Sequence, residues 1–227
     1  MVSLITEGSS TDDQGRPFRR RRAWPVIAVF AVLALIGSVL WVRILSAEAE
    51  VSDTVACNLP QPSSDPSAAA PLPLGTVVDR SKLLDVDPAP LAATKVRVFN
   101  ANGEHGQAAQ VAAQLSEFGF SSAPDVQVGN DPVYVDQNME CQGQIRFGAN
   151  GLAAASSVWL VAPCAELVQD GRGDDTVDLA LGTYNTGALT PNTDATAILH
   201  ALAEQPANAE VAPMDIALLK AARTARC

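Results

Sequence analysis

The run KVRVFNANGEHGQAAQVAAQLSEFG, from Lys95 to Gly119, changes its apolar period halfway along. Val96 and Val98 alternate with Lys95 and Arg97 as in a half-buried strand, and Asn100, Ala101, Asn102 and Gly103 then supply a turn. From Gln107 onward Ala108, Val111, Ala112, Leu115 and Phe118 recur at helical spacing, and Gly119 supplies a stop. A strand that turns directly into an amphipathic helix predicts a helix laid on one face of a sheet.

The next 60 or so residues extend that unit, by the same reading of periodicity. Val126–Val128 and Gln144–Phe147 read as short strands, joined by a loop holding Asn130, Asp131, Pro132 and Cys141. Asn150 is placed to cap a second helix running to about Pro163, and Thr176–Leu181 is a last alternating strand. The order βαββαβ is that of a small two-layer split βαβ domain, of the α/β (α+β) class, over residues 94–190 with both helices on one face. A helical extension follows over residues 191–227: NTDATAILHALAEQ begins with capping residues, and Pro213 opens MDIALLKAARTAR. Lys220, Arg223 and Arg226 near the end of that helix read as a solvated basic terminus that favours the helix dipole.

Upstream, residues 43–93 read as a Pro-rich extracytoplasmic linker, with seven of the chain's 15 prolines between residues 58 and 93. Val77–Val86 (VVDRSKLLDV) interrupts it and is expected to dock as a short helix or latch. Before the linker, residues 23–42 read AWPVIAVFAVLALIGSVLWV, uncharged and about 30 Å long as a helix, enough to cross a bilayer. Trp24 and Trp41 mark its two interfaces. Five arginines (Arg16 and Arg19 to Arg22) precede it and Arg43 alone follows closely, which predicts a cytoplasmic tail over residues 1–22 and an extracytoplasmic remainder. A cleaved signal peptide at Ala47-Glu48-Ala49 is the rival reading, disfavoured because the apolar run is longer than a signal peptide needs. A lipoprotein site at Cys57 lies too far beyond that run.

Composition excludes whole classes of function. Residues 1–43 hold six arginines and three acids, leaving nine basic and 22 acidic residues beyond, in a chain of formal charge −10. An ectodomain this acidic repels phosphate backbones, and aromatics at 5% offer little to stack bases, so no nucleic-acid partner is expected.

Two quoted stretches carry a resemblance. VRVFNANGEHGQAAQVAAQLSEFGF resembles the opening strand, turn and helix of the LytR C-terminal domain family. NDPVYVDQNMECQGQIRFGANG together with LVAPCAELVQDGRGDDTVDLALG is similar to a narrower actinobacterial branch of it. The resemblance covers residues 94–182. It rests on Val96, Val98, Asn100, Gly106, Gly119 and Leu181-Gly182 for the broad family, and on Cys141, Gly143–Gly148, Pro163, Cys164 and Glu166 for the branch. What it implies is a role in keeping the cell envelope intact, with no known reaction. The larger relatives join this domain to a phosphotransferase domain, for which this chain leaves no room between span and residue 94.

Candidate sites are few. Four cysteines beyond the span sit where disulfides form, and three pairings are possible. Cys141 with Cys164 is favoured, both lying within the domain and closing a loop of about 22 residues worth on the order of 3 kcal/mol. Cys57 and Cys227 are left to pair with each other, to stay free, or to pair between chains. No C-x-x-C or paired-His spacing suggests a metal, and no cofactor motif is present. The turn with Asn100, Asn102, Gly103 and Gly106 opens onto a helix N-terminus, a possible anion-binding turn. The same residues are what a tight strand-to-helix turn requires, and Glu104 would repel an anion. His105 and His200 are the chain's two imidazoles and belong to unrelated elements, while Asp174 and Asp175 sit in a Gly-rich loop that reads as a solvated turn. No catalytic residue is therefore assigned. The expected function is a non-catalytic envelope module binding a membrane protein or a neutral wall glycan, with a hydrolase or transferase acting on wall polymer as the alternative.

Overall fold

The computed structural model describes residues 24–47, 56–67, 70–225 and 227, and its chain divides into two units, Met1–Glu50 and Val51–Cys227. In the first, a single helix α1 runs from Trp24 to Ala47, five residues past the end expected from hydropathy. Its 18-residue window Trp24–Trp41 is long and apolar enough to cross a membrane. From Trp24 to Trp41 its large apolar side chains are exposed, as a helix whose solvent is lipid requires. The expected tail over residues 1–22 lies outside the described residues.

In the second unit, β2 (Lys95–Asn100), α3 (Gln107–Phe118) and the Gly119 stop form where the periodicity places them. Gly119 has φ 102° and donates to Leu115 and Ser116 carbonyls, closing the helix with a conformation open to glycine. Two short strands, β3 (Ser121–Ser122) and β4 (Val128–Asn130), pair in parallel with the two halves of β2, so the strand expected at Val126–Val128 sits two residues later. β5 (Gly143–Phe147) precedes a 3-10 turn, Ala149–Gly151, and helix α4 (Leu152–Val161). Asn150 does not cap α4; its amide donates to the Gly173 carbonyl at 2.8 Å and holds the following loop instead.

The βαββαβ layout is corrected in one respect that changes the topology. A strand not foreseen, β6 (Glu166–Gln169), follows α4 and pairs in parallel with β5, and β7 (Val177–Leu181) then returns antiparallel to β5 and parallel to β2. With the two-residue β1 (Thr76–Val77) on the outer edge of β6, the sheet order is β1-β6-β5-β7-β2-β3, with β4 also on β2. Two parallel βαβ units thus lie side by side with β7 between them. β6 escaped the period count because its apolar pair Leu167-Val168 is too short to separate strand from helix end.

Strand alternation gives the sheet two unlike faces. One carries Val96, Val98, Ile145, Phe147, Leu167, Val177, Leu179 and Leu181, packed under α3, α4 and a further helix, α5 (Thr193–Ala203). α4 is apolar nearly all round and correspondingly buried. A last helix, α6 (Ile216–Ala222), adds Leu219 and Ala222 to the same core. The extension over residues 191–227 is therefore part of the domain. The other face carries Arg97, Phe99, Gln144, Arg146, Asp178 and Ala180, with Phe99 and Ala180 gathered under Val133, Tyr134, Met139 and Cys141.

The linker expected over residues 43–93 is corrected from Cys57 onward, where the described chain is bound to the domain. Asn58 donates to the Asn138 carbonyl and accepts from the Glu140 amide, Leu72 donates to Pro132, and Val78 donates to Leu167. Within the expected latch Val77–Val86, α2 (Ser81–Leu84) buries Leu83 completely, and Leu91 is equally buried. Prolines do keep this segment extended, but an extended chain already poor in conformations loses little entropy when it lies down on a surface.

Candidate functional site

The cysteine pairing is corrected first, because it decides which regions are clasped together. Cys57 bonds Cys141 and Cys164 bonds Cys227, across 84 and 63 residues. Cys141 sits in the cluster on the far face of the sheet, whereas Cys164 follows α4 in the helical layer, so the favoured Cys141–Cys164 bond would have to pass the sheet. Each bond closes a long loop and contributes about 4 to 5 kcal/mol in the chain-entropy account. Each fastens a flanking segment to the body of the domain, one at the far face of the sheet and one at the helical layer, which is why neither was apparent from proximity in sequence.

On the far face, beneath the Cys57 strap, lies a sealed polar cluster. Arg146 of β5 donates to Asp131 at 2.8 Å, with both side chains at 2% exposure or less, and its other nitrogens donate to the Gln144 Oε1. Gln144 in turn donates to Glu166 at 2.7 Å, and the second Asp131 oxygen accepts the Val133 and Tyr134 amides at 2.7 and 2.8 Å. The Arg146 guanidinium lies 5.7 Å over the Tyr134 ring, whose hydroxyl donates to the Asn58 carbonyl of the strap. Burial pushes the Tyr134 phenol up to about 12, so it stays a donor. Arg146 and Asp131 are paired and no buried side-chain nitrogen or oxygen of this cluster lacks a partner, the condition under which a buried ion pair fixes geometry.

A second group of charges runs along the open part of that face. Arg97 donates to Asp178 at 2.6 Å and to Asp125 at 3.0 Å, and Arg172 bridges Asp170 and Asp178 at 2.6 and 2.5 Å. Burial works against the Arg172 charge, but its bonds to Asp178 and Asp170 more than reverse this and raise its pKa. Asp174, expected in a solvated turn, accepts from the Thr176 hydroxyl and amide and is held below the usual carboxylate range by those bonds. Asp175 pairs with Lys95 at 3.0 Å.

The turn proposed to receive an anion brings its residues together and uses them up. Asn100 donates to the Glu104 carbonyl, and its Oδ1 accepts from the Asn102 amide. Asn102 donates to Gln107 at 2.7 Å and to the Gly182 carbonyl at 2.8 Å, tying the turn to the end of β7. Gly103 and Gly106 have φ of 77° and 81° and supply the backbone the turn needs. His105 is exposed in this turn and His200 on α5; among the described residues neither bonds a serine or carboxylate side chain. No group of three or more His, Cys, Asp or Glu side chains able to hold a metal occurs among the described residues either.

Two cavities open on the helical layer. One of 240 Å³ is lined by Cys164, Pro163, Gly143, Thr186 and Ala225, and one of 430 Å³ lies between α3 and α5, floored by Phe118, Leu189 and Leu199 with Gln114, Glu117 and His200 at its rim.

The expectation of a solvated basic end is overturned at Arg223, which is 4% exposed. Its guanidinium donates to the carbonyls of Leu83 and Leu84 at 2.9 and 3.1 Å and to the Ser156 hydroxyl, and lies 4.7 Å over the Trp159 ring. Burial, with no carboxylate bonded to it, lowers its pKa to about 10. The missed signal is spacing: Leu219, Ala222 and Arg223 share one face of α6, so the arginine rides on the apolar stripe while Lys220 faces water. Arg226 lies outside the described residues.

With this geometry in place, comparison with known proteins is specific. Residues 93–184 match the family described as LytR cell envelope-related transcriptional attenuator. Over 219 residues, 96% of each chain, the sequence is 46% identical to the cell envelope integrity protein Cei of Mycobacterium tuberculosis. A crystal structure of the soluble domain of a conserved hypothetical secreted protein from Mycobacterium marinum is 49% identical, with a TM-score of 0.59, covering 68% of this chain and 99% of that one.

Proposed function

We propose that this chain, which belongs to the LytR C-terminal domain family alongside the mycobacterial envelope integrity protein, is a non-catalytic binding module of the cell envelope anchored by α1. Its amino-terminal tail is cytoplasmic and residues beyond 43 are extracytoplasmic, a reading supported by the five arginines before the span and by disulfides that form where the surroundings are oxidising. The observation that carries the non-catalytic reading is the state of the polar side chains. The Asn100 turn, the Asp131–Arg146 cluster and the Arg172 bridges bond among themselves, and the hydroxyls that meet a carboxylate, Ser63 on Asp136, Ser67 on Asp65 and Thr176 on Asp174, do so as local turn contacts with no imidazole bonded to them among the described residues.

The partner is a membrane protein or a neutral wall glycan. Lys95, Arg97, Arg146 and Arg172 are engaged in ion pairs and Arg223 is buried, so the surface offered to the envelope is acidic and repels anionic polymer. The test is capture by the detergent-solubilised full chain from purified wall glycan and, separately, after cross-linking, from membrane proteins. Turnover of wall fragments by the same preparation, lost on replacing one side chain, overturns the non-catalytic reading. Because all four cysteines are in disulfides, topology is read without removing them. An impermeant maleimide should leave Ser3→Cys unlabelled in intact cells.

A further inference from the structure

We propose that the segment carrying α6 and fastened by Cys164–Cys227 is a redox-gated latch over Trp159, which a dithiol reductant opens while the Cys57–Cys141 clasp stays shut. The two disulfides differ in access. In the first bond Cys57 is partly exposed but Cys141 is 1% exposed and packed with Phe99, Val133, Tyr134 and Met139, whereas Cys164 and Cys227 are both partly exposed and Cys164 lines the 240 Å³ cavity. Thiol–disulfide exchange needs a thiolate to reach one sulfur and the other to leave as a thiolate: attack at Cys57 would expel Cys141 into an apolar cluster, whereas either sulfur of the second bond can leave into partly exposed surroundings.

What that bond holds down is otherwise held by a short list of contacts. α6 has seven residues, and its buried apolar contribution is Leu219 and Ala222. Asn192 donates to the Ala221 and Thr224 carbonyls, the Met214 amide donates to Asp87 and its side chain packs on the core, and the rest of the grip is Arg223, a buried cation held by carbonyls, the Ser156 hydroxyl and a ring, with its Nε lacking any partner. An arginine so placed gains hydration when the segment lifts, and covalent closure is what offsets that gain. The ring it covers is the sole tryptophan beyond the span, with Arg80 on it as well at 5.8 Å.

The chemistry balances as two exchanges. One thiolate of the dithiol attacks a sulfur of Cys164–Cys227, forming a mixed disulfide and expelling the other cysteine as thiolate. The second thiol of the reductant then displaces the remaining cysteine. The dithiol leaves oxidised to its disulfide, and Cys164 and Cys227 have together taken up two electrons and two protons.

The test uses the full chain in detergent micelles with Trp24→Phe and Trp41→Phe, so that Trp159 is the only tryptophan and is excited selectively over the tyrosines. Dithiothreitol is added in steps without denaturant, and samples are alkylated and mapped by mass spectrometry. Cys164 and Cys227 are expected to become alkylated at least about tenfold faster than Cys57 and Cys141, with Trp159 emission moving to longer wavelength in step. Cys164→Ser with Cys227→Ser should show that emission without reductant and keep a cooperative thermal transition. Equal rates for the two bonds, earlier opening of Cys57–Cys141, or unchanged emission after Cys164–Cys227 is reduced overturns the proposal. So does loss of the cooperative transition in the double variant, because a latch must open on a domain that stays folded.

Discussion

The two faces of the sheet solve the same problem, attachment of a flanking segment, with opposite chemistry. The helical face is aliphatic and receives α6 through Leu219, Ala222 and a lone arginine; the far face receives the Cys57 strap through a network of paired charges and backbone bonds. Apolar packing is tolerant of shape and indifferent to pH, whereas a buried ionic network fixes one geometry and fails as a whole when one member is lost. Each face is closed by one disulfide. The comparison teaches that a flanking segment can be fixed to the same sheet either by a buried polar network or by a short apolar contact, each with one covalent bond.

The largest effect is expected from opening the far face covalently. Cys57→Ser with Cys141→Ser should cost about 4 to 5 kcal/mol in chemical denaturation and expose the strap, described over residues 58–67 and 70–74, to protease. Next comes the charge beneath it. Asp131→Ala leaves Arg146 buried and unpaired, a loss of about 3 to 5 kcal/mol, and adding Arg146→Met should recover part of that loss. Recovery would separate the penalty of an orphaned charge from the worth of the pair.

On the helical face, Leu179→Ala removes a side chain 1% exposed and should cost about 2 to 5 kcal/mol through the cavity it leaves. Unlike the far-face variants, it should leave the strap resistant to protease, since Leu179 and the strap lie on opposite sides of β7.

The helical face was also the legible one in the sequence. Val96, Val98, Val111, Leu115, Leu179 and Leu181 announce themselves by period, and the Gly119 stop and the Asn192 cap follow from local chemistry. The far face is built from residues that mean nothing in isolation. Gln144, Arg146 and Asp178 read as the polar side of a strand, and only the strap and the loop over residues 131–142 bury part of it. The strap itself was misread because proline content reports that a chain is extended and says nothing about whether it is bound. Pairing of four cysteines likewise depends on tertiary placement that spacing does not encode.

The smallest effect is the sharpest discriminator, because it isolates a single hydroxyl on the far face. The Tyr134 phenol titrates near 10 in an unfolded chain and at about 12 in the folded one, mainly because it is buried. Between those values the folded state keeps a proton that the unfolded state releases, so this contribution to stability is whole below pH 10 and is lost as pH rises toward 12. Tyr134→Phe removes the donor to the Asn58 carbonyl, which should cost about 1 kcal/mol at neutral pH. The same change should flatten the alkaline decline in stability, while Leu179→Ala lowers stability by a constant amount and keeps the decline unchanged. Denaturant titrations of both variants from pH 8 upward decide the matter. An equal alkaline decline in Tyr134→Phe and the parent would mean that the hydroxyl under the strap does not carry the pH dependence of the far face.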